Sequence, residues 1–358
     1  MKLFLTGGFL GSGKTTAIQQ ASLQLLQKGS RVAVITNDQG EQLIDTRLIR
    51  GANIPALEVS SGCFCCKYDQ LEHSIRLLQD VYQPEIIFAE AVGSCTDLVA
   101  TIVKPFLQFH PNLEVVVSVF ADAHTLPILI QDSRLFADNV NYIYKKQLEE
   151  ADVLVITKID LLTAAQIGEV KQLMHKHYPG KVTLYQNSFD GEDIQHWLET
   201  LNSFQLQDKR ASLELDYDKY GAGEAELAWL DKEIEIYTST GNALTLGYTL
   251  LNSIYAKVKE QEFPIGHLKF LMDDGILQKR ISFTAADQPA AAPDYKDAGI
   301  KNLHMFINAR VQAEPDALQR LVADAVAALR TQPGCSIVEG EMAAFQPGYP
   351  APTHRIED

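Results

Sequence analysis

The chain has few positive charges and no long apolar run, and each of these features excludes a class of function. Its 358 residues include 31 lysines and arginines against 46 aspartates and glutamates, a formal net charge of −15. Such a surface repels the phosphate backbone of a nucleic acid, so we expect no nucleic-acid partner. Without an apolar run long enough to span a bilayer, we expect no membrane-embedded segment either.

The N-terminal segment lacks the features of a secretory leader. It reads "MKLFLTGG", in which the apolar stretch is too short and meets glycines too soon. We therefore expect a cytoplasmic protein, in a compartment where thiols stay reduced. There, the five cysteines favour a metal or catalytic site over a structural disulfide.

Strand and helix patterns alternate through residues 1–205, the first predicted domain. Several of the strand candidates are apolar at nearly every position, which is typical of central parallel strands covered on both faces. The intervening stretches, such as 14–28, have the periodicity of amphipathic helices. This alternation predicts an α/β domain with a doubly wound, mostly parallel sheet. The predicted strands are 2–6, 31–36, 56–59, 85–90, 114–120, 153–157 and 181–185.

The pattern of predicted strands and helices changes after residue 205. The polar stretch 206–225 is predicted to be a linker, and 226–358 a smaller α+β domain. The predicted order of elements, strand–helix–strand–strand–helix–strand, is that of a ferredoxin-like fold. We place its strands in "LAWLDKEIEIYT", "LQKRISFTA", "LHMFINARV" and "CSIVEGEMAAF", with a mobile loop in "AADQPAAAPDYKDAG".

A phosphate-binding loop follows the first predicted strand. In "GGFLGSGKTT" four residues separate Gly8 from Gly13, and Lys14 and Thr15 come next, which is the Walker A pattern. Glycines let consecutive N–H groups face one anion at the positive end of a helix. Lys14 is predicted to reach the β- and γ-phosphates, and Thr15 to ligate Mg²⁺. The predicted nucleotide-binding residues of this loop are Gly8, Gly11, Ser12, Gly13, Lys14, Thr15 and Thr16.

Acidic residues end two further strands. In "EIIFAEAVG" the strand ends at Glu90, and Gly93 follows three residues later. We expect Glu90 to hold Mg²⁺, directly or through water, and the N–H of Gly93 to contact the γ-phosphate. Asp38 in "ITNDQG" either orders the attacking water or ligates Mg²⁺, or it is a turn residue before Gly40. The predicted catalytic residues are Lys14, Asp38, Glu90 and Gly93.

The segment "LVITKIDLL" indicates which base is bound. Asp160 matches the residue that accepts two hydrogen bonds from guanine, and the stem of Lys158 would pack along the ring. Adenine lacks the matching donors and would leave the carboxylate unpaired, so GTP is favoured over ATP. Thr157 stands where many G domains have asparagine.

Cysteines are concentrated in two short segments. Cys63, Cys65 and Cys66 lie in "SGCFCCK", and Cys95 lies in "EAVGSCTDL". Such a cluster is a disulfide device, a redox site or a metal site. Near-adjacent cysteines form strained, labile disulfides, and nothing nearby resembles a thioredoxin motif.

The order of these motifs resembles the CobW-like metallochaperone GTPases, which are related to HypB, UreG and MeaB. The resemblance rests on the Walker A loop, "TND", "GCFCC", the acid–glycine switch and "TKID"; it covers the second domain only in outline. It implies that Cys63, Cys65 and Cys66 bind Zn²⁺, Co²⁺ or Ni²⁺, and that GTP governs delivery to a client metalloprotein or a cobalamin pathway. Three thiolates favour such metals over Mg²⁺.

The chain departs from the CobW pattern after Glu90. "EAVGSCTDL" is more similar to HypB, where a cysteine also follows the switch glycine, and to MeaB. Asp38 stands where glutamate is usual. This suggests that Cys95 completes the metal site; the alternative is a small buried apolar residue at a helix start.

Two rival functions remain at this point. One is a GTPase chaperone of a corrinoid enzyme, and the other is a scaffold that nucleotide merely stabilises. No arginine finger is evident near the switches, so we expect hydrolysis to be slow. The resemblance also implies a homodimer across the nucleotide face.

Overall fold

The computed structural model describes residues 1–40, 44–131, 135–205, 210–276, 278–285, 287 and 299–358. The chain forms two compact units, the first comprising Met1–Gly223 together with Tyr349–Asp358, and the second Glu224–Gly348. The loop predicted in "AADQPAAAPDYKDAG" lies, apart from residues 285, 287 and 299, outside the described residues.

This division differs from the predicted one at both ends of the second domain. The predicted linker, 206–225, ends in a helix, Tyr217–Ala225. The predicted domain 226–358 loses Tyr349–Asp358, which belong to the first unit. The second unit is therefore an insertion, because the chain leaves the first unit and later returns to it.

A sheet of seven parallel strands forms the centre of the first unit. All seven predicted strands are present, in the order β3-β2-β4-β1-β5-β6-β7. Every residue of the second, fourth and sixth strands is buried, as their continuous apolar character predicts. The strands are β1 (Lys2–Gly8), β2 (Val32–Asn37), β3 (Ala56–Val59), β4 (Ile86–Glu90), β5 (Glu114–Asp122), β6 (Val153–Thr157) and β7 (Val182–Gln186).

Helices connect the strands and bury the sheet. A π-helical turn, Val99–Val103, leads into the fourth helix, and a 3₁₀ turn, Ile159–Leu161, precedes the seventh. In the part of the chain that the structure describes, no helix has the length and apolar character needed to cross a bilayer. The helices are α1 (Lys14–Gln27), α2 (Ile44–Gly51), α3 (Tyr68–Tyr82), α4 (Lys104–Phe109), α5 (Leu126–Gln131), α6 (Asp138–Glu150), α7 (Ala164–His177), α8 (Gly191–Ser203) and α9 (Tyr217–Ala225).

The register of the strands brings several chain segments to one edge of the sheet. Thr6 of β1 pairs with Glu90, the last residue of β4. Asp122 and Thr157, the last residues of β5 and β6, also pair. The loops that follow these strands therefore start side by side, at the edge where α/β proteins bind their ligands.

The second unit is built on an antiparallel sheet of five strands, in the order β10-β9-β11-β8-β12. Without β10, this is the predicted ferredoxin-like order. The segment "LQKRISFTA" contributes the edge strand β10 rather than the second strand of that fold. "FPIGHLKFLM" supplies the second strand, β9, and Gly275 (φ 88°) lies in the turn between β9 and β10. The elements are β8 (Leu227–Thr238), α10 (Ala243–Glu260), β9 (Ile265–Asp273), β10 (Gln278–Phe283), β11 (Asn302–Gln312), α11 (Pro315–Arg330) and β12 (Cys335–Phe345).

Candidate nucleotide and metal site

The phosphate loop joins the end of β1 to the start of α1. Gly8 and Gly13 have φ angles of 119° and 90°, in the left-handed region that favours glycine. A Cβ on Gly8 would lie 2.2 Å from the carbonyl oxygen of Phe120, so the close approach of β1 to β5 requires glycine. The Lys14 ammonium donates to the carbonyls of Gly8 (2.7 Å) and Phe9 (3.2 Å) and thus arches back over the loop.

The other predicted residues of the loop lie where the pattern predicts. Gly11 has a φ of 72°, and the N–H of Ser12 donates to the carbonyl of Phe9 at 3.3 Å. Thr15 and Thr16 are buried in the first turn of α1. The loop and the N-terminus of α1 form a compact turn, as an anion-binding site requires.

The two residues predicted to face Mg²⁺ touch each other. The Thr15 hydroxyl donates to Glu90 Oε1 at 2.8 Å, and Glu90 is buried. A hydroxyl and a carboxylate are oxygen ligands of the kind that Mg²⁺ prefers, so the pair fits that ion. Gly93 lies against the loop, because a Cβ there would approach the N of Leu10 to 3.0 Å.

Asp38 follows β2 directly. Its carboxylate accepts the N–H of Gly40 at 2.8 Å, and its own N–H donates to the carbonyl of Val59 at 3.2 Å. The side chain therefore makes the turn contact that one of the two predictions described. A role in ordering water stays a prediction.

At the base-binding end, a threonine bridges two loops. The Thr157 hydroxyl lies 2.7 Å from the carbonyl of Ser12 and 3.2 Å from that of Ala121. A hydroxyl thus ties the end of β6 to the phosphate loop. The Lys158 ammonium pairs with Asp122 at 2.6 Å, and Asp160 is exposed on the following turn.

The cysteine cluster is compact and mostly buried. The sulfur of Cys63 lies 2.8 Å from that of Cys65 and 3.3 Å from that of Cys66, and the last two are 3.8 Å apart. Cys63 and Cys65 are buried and Cys66 is half-buried. The Cys95 sulfur lies 3.9 Å from that of Cys65 and is fully buried. We call residues 61–67 the Cys loop.

The cluster fits a thiophilic divalent metal. Thiolates at about 2.3 Å from zinc in a tetrahedral site lie about 3.8 Å apart. The Cys65–Cys66 and Cys65–Cys95 separations match this spacing, whereas Cys63–Cys65 and Cys63–Cys66 are shorter. Contact with the Cys63 thiol raises the pKa of both Cys65 and Cys66. These shifts favour the protonated thiols of Cys65 and Cys66, so a metal that binds them would have to displace protons.

An asparagine that the sequence analysis did not single out holds the Cys loop. Asn37, the last residue of β2, donates through its side-chain amide to the carbonyls of Val59 (2.9 Å) and Gly62 (2.7 Å). Its Oδ1 accepts the N–H of Phe64 at 2.8 Å. One side chain thus fixes the loop on both sides of Cys63. Its position in "TND", at the end of a strand, was the available signal.

Residues 93–98, here called the switch segment, are held by α6. Gln147 donates to the carbonyls of Gly93 (3.0 Å) and Cys95 (2.9 Å). The segment that carries the fourth cysteine is therefore anchored next to the phosphate loop. Nothing in the sequence of α6 distinguishes Gln147 from other buried glutamines.

A buried carboxyl group anchors the far end of the switch segment. Glu150 accepts the Thr96 hydroxyl at 3.1 Å and the Leu98 N–H at 2.6 Å. Burial raises the pKa of Glu150 to about 8, and the nearby Asp97 adds to this effect. Burial also raises the pKa of Asp97, although hydrogen bonds from Arg355 and Tyr217 act to lower it.

The parallel sheet and the phosphate loop at its edge define a P-loop nucleotide-binding protein. A family model described as "CobW/HypB/UreG, nucleotide-binding domain" matches residues 2–184. The chain belongs to this family.

Two curated relatives carry descriptions of function. "Zinc chaperone CobW" of a Sinorhizobium species is 28% identical over 204 residues, which cover 50% of this chain and 56% of that protein. "Zinc chaperone YjiA" of Escherichia coli (strain K12) is 29% identical over 167 residues, covering 45% and 50%. The chain spans about half the length of these relatives.

Among solved structures, HypB from Helicobacter pylori in complex with nickel is similar to 58% of this chain and 90% of its own. The sequence identity is 18% and the TM-score is 0.42.

Proposed function

We propose that this protein is a GTP-hydrolysing metallochaperone that carries Zn²⁺ on Cys63, Cys65 and Cys66 and passes it to a client metalloprotein. One observation carries the proposal: the sulfurs of Cys65 and Cys95 are 3.9 Å apart. This contact joins the Cys loop to the switch segment, two residues beyond the glycine that lies against the phosphate loop. The descriptions of the two curated relatives favour zinc over Co²⁺ and Ni²⁺.

GTP would bind along the edge where β1, β4, β5 and β6 end. Lys14, with the N–H groups of the phosphate loop, would neutralise the β- and γ-phosphates. Thr15 and Glu90 would hold Mg²⁺, which supplies positive charge to the phosphate oxygens when bound. Asp160 would accept hydrogen bonds from the guanine edge, with the Lys158 stem beside the ring.

Hydrolysis would transfer the γ-phosphoryl group to water. The water oxygen forms a bond to phosphorus while the bond to the β–γ bridging oxygen breaks, giving GDP, phosphate and a proton. We assign Asp38 to ordering this water and the N–H of Gly93 to contact with the γ-phosphate. This assignment is supported by their places after β2 and β4, at the edge of the sheet that also carries the phosphate loop.

The metal would respond to the nucleotide through Cys95. When the γ-phosphate draws Gly93 toward itself, the switch segment shifts, and Cys95 shifts with it. Cys95 would then add or withdraw a fourth thiolate, and the affinity of the Cys loop for Zn²⁺ would change. Such a switch requires a coupling free energy between nucleotide and metal binding of about 1.4 kcal/mol for each tenfold change in Zn²⁺ affinity.

The test is the affinity of the reduced protein for Zn²⁺, Co²⁺ and Ni²⁺ with GDP and with a non-hydrolysable GTP analogue. We expect affinities that differ about tenfold or more between the two nucleotides. Cys95→Ser should remove most of this difference. Cys335→Ser, which removes a thiol of the second unit, is the matched control and should leave it intact.

Equal affinity with both nucleotides would overturn the proposal. Co-purification of a corrinoid protein would then favour the corrinoid-enzyme chaperone. Metal binding with no GTP turnover at any metal concentration would favour the scaffold. Lys14→Met should abolish the effect of the nucleotide on Zn²⁺ affinity and leave the Zn²⁺ affinity measured without nucleotide unchanged. This result would separate the role of the phosphate loop from that of the Cys loop.

A further inference from the structure

Residues 349–358, which the chain adds to the first unit after completing the second, run across the Cys loop. The N–H of Thr353 donates to the carbonyl of Cys65 at 2.9 Å, and the Thr353 hydroxyl to that of Cys66 at 3.3 Å. Two hydrogen bonds therefore hold the Cys loop from a segment far away in sequence.

The same segment also holds the switch segment. Arg355 Nε donates to Asp97 Oδ2 at 2.8 Å, and the Tyr217 hydroxyl donates to the same oxygen at 2.8 Å. Asp97 is fully buried, and the Arg355 guanidinium also lies 5.2 Å from the ring centre of Tyr217. The N–H of Ile356 donates to the carbonyl of Ala100 at 2.9 Å. An ion pair with one buried partner is costly to break, so this anchor is firm.

Aromatic packing fixes the segment between these two sets of contacts. The ring of His354 packs edge-on against Tyr68, with centroids 4.9 Å apart, and lies 5.4 Å from that of Phe109. Tyr68 is the first residue of α3, directly after the Cys loop. The segment thus covers the point where the Cys loop enters a helix.

We propose that residues 349–358 form a strap that positions the Cys loop and the switch segment relative to each other, with Arg355 as its main positioning residue. This inference rests on the proposed function, because it assigns the means by which a shift at Asp97 reaches Cys65 and Cys66. Because the strap contacts both segments, a displacement of the switch segment moves the strap and, with it, the loop that binds the metal. Groups that hydrogen bond to metal ligands and orient them typically change metal affinity about 10- to 100-fold.

The first test removes the ion pair. In Arg355→Gln we expect most of the roughly tenfold difference between the Zn²⁺ affinities with GDP and with the GTP analogue to disappear. Arg330→Gln is the matched control, since Arg330 pairs with Glu339 at 2.6 Å on the exposed surface of the second unit. Asp97→Asn should reproduce the loss, and the double variant should lose no more than either single one. Additive losses would show that the two residues act separately and would overturn the inference.

The second test does not depend on metal or nucleotide. Shortening the chain after Pro350 removes the covering segment, and we expect the alkylation rate of Cys66 to rise about tenfold relative to that of Cys335. The Cys335 thiol serves as an internal reference in the same molecule. Adding the peptide of residues 351–358 should reverse the change. If the shortened chain does not fold, the same rate ratio in Arg355→Gln replaces it.

The outcomes separate the two proposals. A full-length protein that binds Zn²⁺ equally with both nucleotides contradicts the proposed function, and the alkylation ratio still tests the strap. An intact nucleotide effect in Arg355→Gln, with an unchanged alkylation ratio, overturns the strap alone.

Discussion

The phosphate loop and the Cys loop both follow strands of the parallel sheet, but different kinds of contact hold them in place. In the phosphate loop, Lys14 bonds to the carbonyl of Gly8, six positions earlier, and glycines supply the backbone angles. In the Cys loop, the N–H of Phe64 bonds to Asn37, 27 positions earlier, and Thr353 bonds to Cys66 across 287 positions. The phosphate loop thus takes its shape mainly from its own residues, with one distant bond from Thr157. The Cys loop is held mainly by distant parts of the chain.

Because of this difference, the two loops respond to substitutions at different positions of the chain. A loop that carries its own geometry fails when its own residues change. A loop held from outside can be loosened by changes elsewhere, which is useful if it must release what it binds. The following predictions test this contrast.

The largest effect is expected from a change inside the phosphate loop. In Gly8→Ala, the new Cβ would lie 2.2 Å from the carbonyl oxygen of Phe120 and 2.7 Å from its nitrogen. We expect a loss of more than about 4 kcal/mol in the free energy of unfolding. Gly168→Ala is the control: no atom lies within 4 Å of its Cβ, and alanine should gain about 1 kcal/mol in α7.

Chemical denaturation of both variants measures these free energies. A Gly8→Ala protein as stable as the unaltered chain would contradict the close approach of β1 to β5.

A tenfold effect is expected when the Cys loop is loosened from outside. Asn37→Ala removes the hydrogen bonds to Val59, Gly62 and Phe64. We expect the affinity for Zn²⁺ to fall about tenfold, while the affinity for GDP stays unchanged because the phosphate loop makes its own contacts. Competition with a chromophoric chelator measures the first, and calorimetry the second.

The control for this change is Asn202→Ala, on the exposed side of α8, where the side chain bonds to Lys2 and Leu198. Equal losses of Zn²⁺ and GDP affinity in Asn37→Ala would show that the two loops are not held independently.

A gradual effect, small at each pH step and spread over several pH units, concerns the switch segment between the loops. The pKa of Glu150, about 8 in the folded protein, exceeds its ordinary value of 4.5. Between these two values the folded state holds a proton that the unfolded state has lost. The free energy of unfolding should therefore fall as the pH rises through that window, by up to about 1.4 kcal/mol per pH unit.

Glu150→Gln keeps the neutral form at every pH and should flatten this slope. Glu149→Gln, which changes the exposed neighbour of the same residue type, should not. Denaturation curves at several pH values between about 5 and 8 decide the matter. If the pH dependence persists in Glu150→Gln, another titrating group causes it.

The contrast between local and distant contacts also explains which features could be predicted from the sequence. The seven strands of the first sheet and the phosphate loop depend on local patterns, such as the apolar run that ends at Glu90 and the spacing of Gly8 and Gly13. The partner of Thr157 could not be predicted, because Ser12 is 145 positions away. Asn37, Gln147 and Glu150 were not found for the same reason: their roles arise only when separate elements meet.

The second unit shows a different limit. Its ferredoxin-like order follows from the sequence of elements, but the second strand was predicted in the segment of β10, and β9 was not predicted as a strand. Most of β9 is buried and apolar, and such a run looks like a core segment of any kind. In β10 the apolar residues Ile281 and Phe283 alternate with Ser282 in sequence, which is typical of a strand. Pairing with β11, which only the fold reveals, gives β9 the inner position.

The distance in sequence between the Cys loop and the strap has a consequence during synthesis. Thr353 follows Cys66 by 287 positions, so at about 5 to 20 residues per second roughly 15 to 60 s pass between the translation of one and of the other. Throughout that interval the Cys loop lacks the two hydrogen bonds from Thr353. The loop therefore reaches its final set of contacts only after the second unit has been translated.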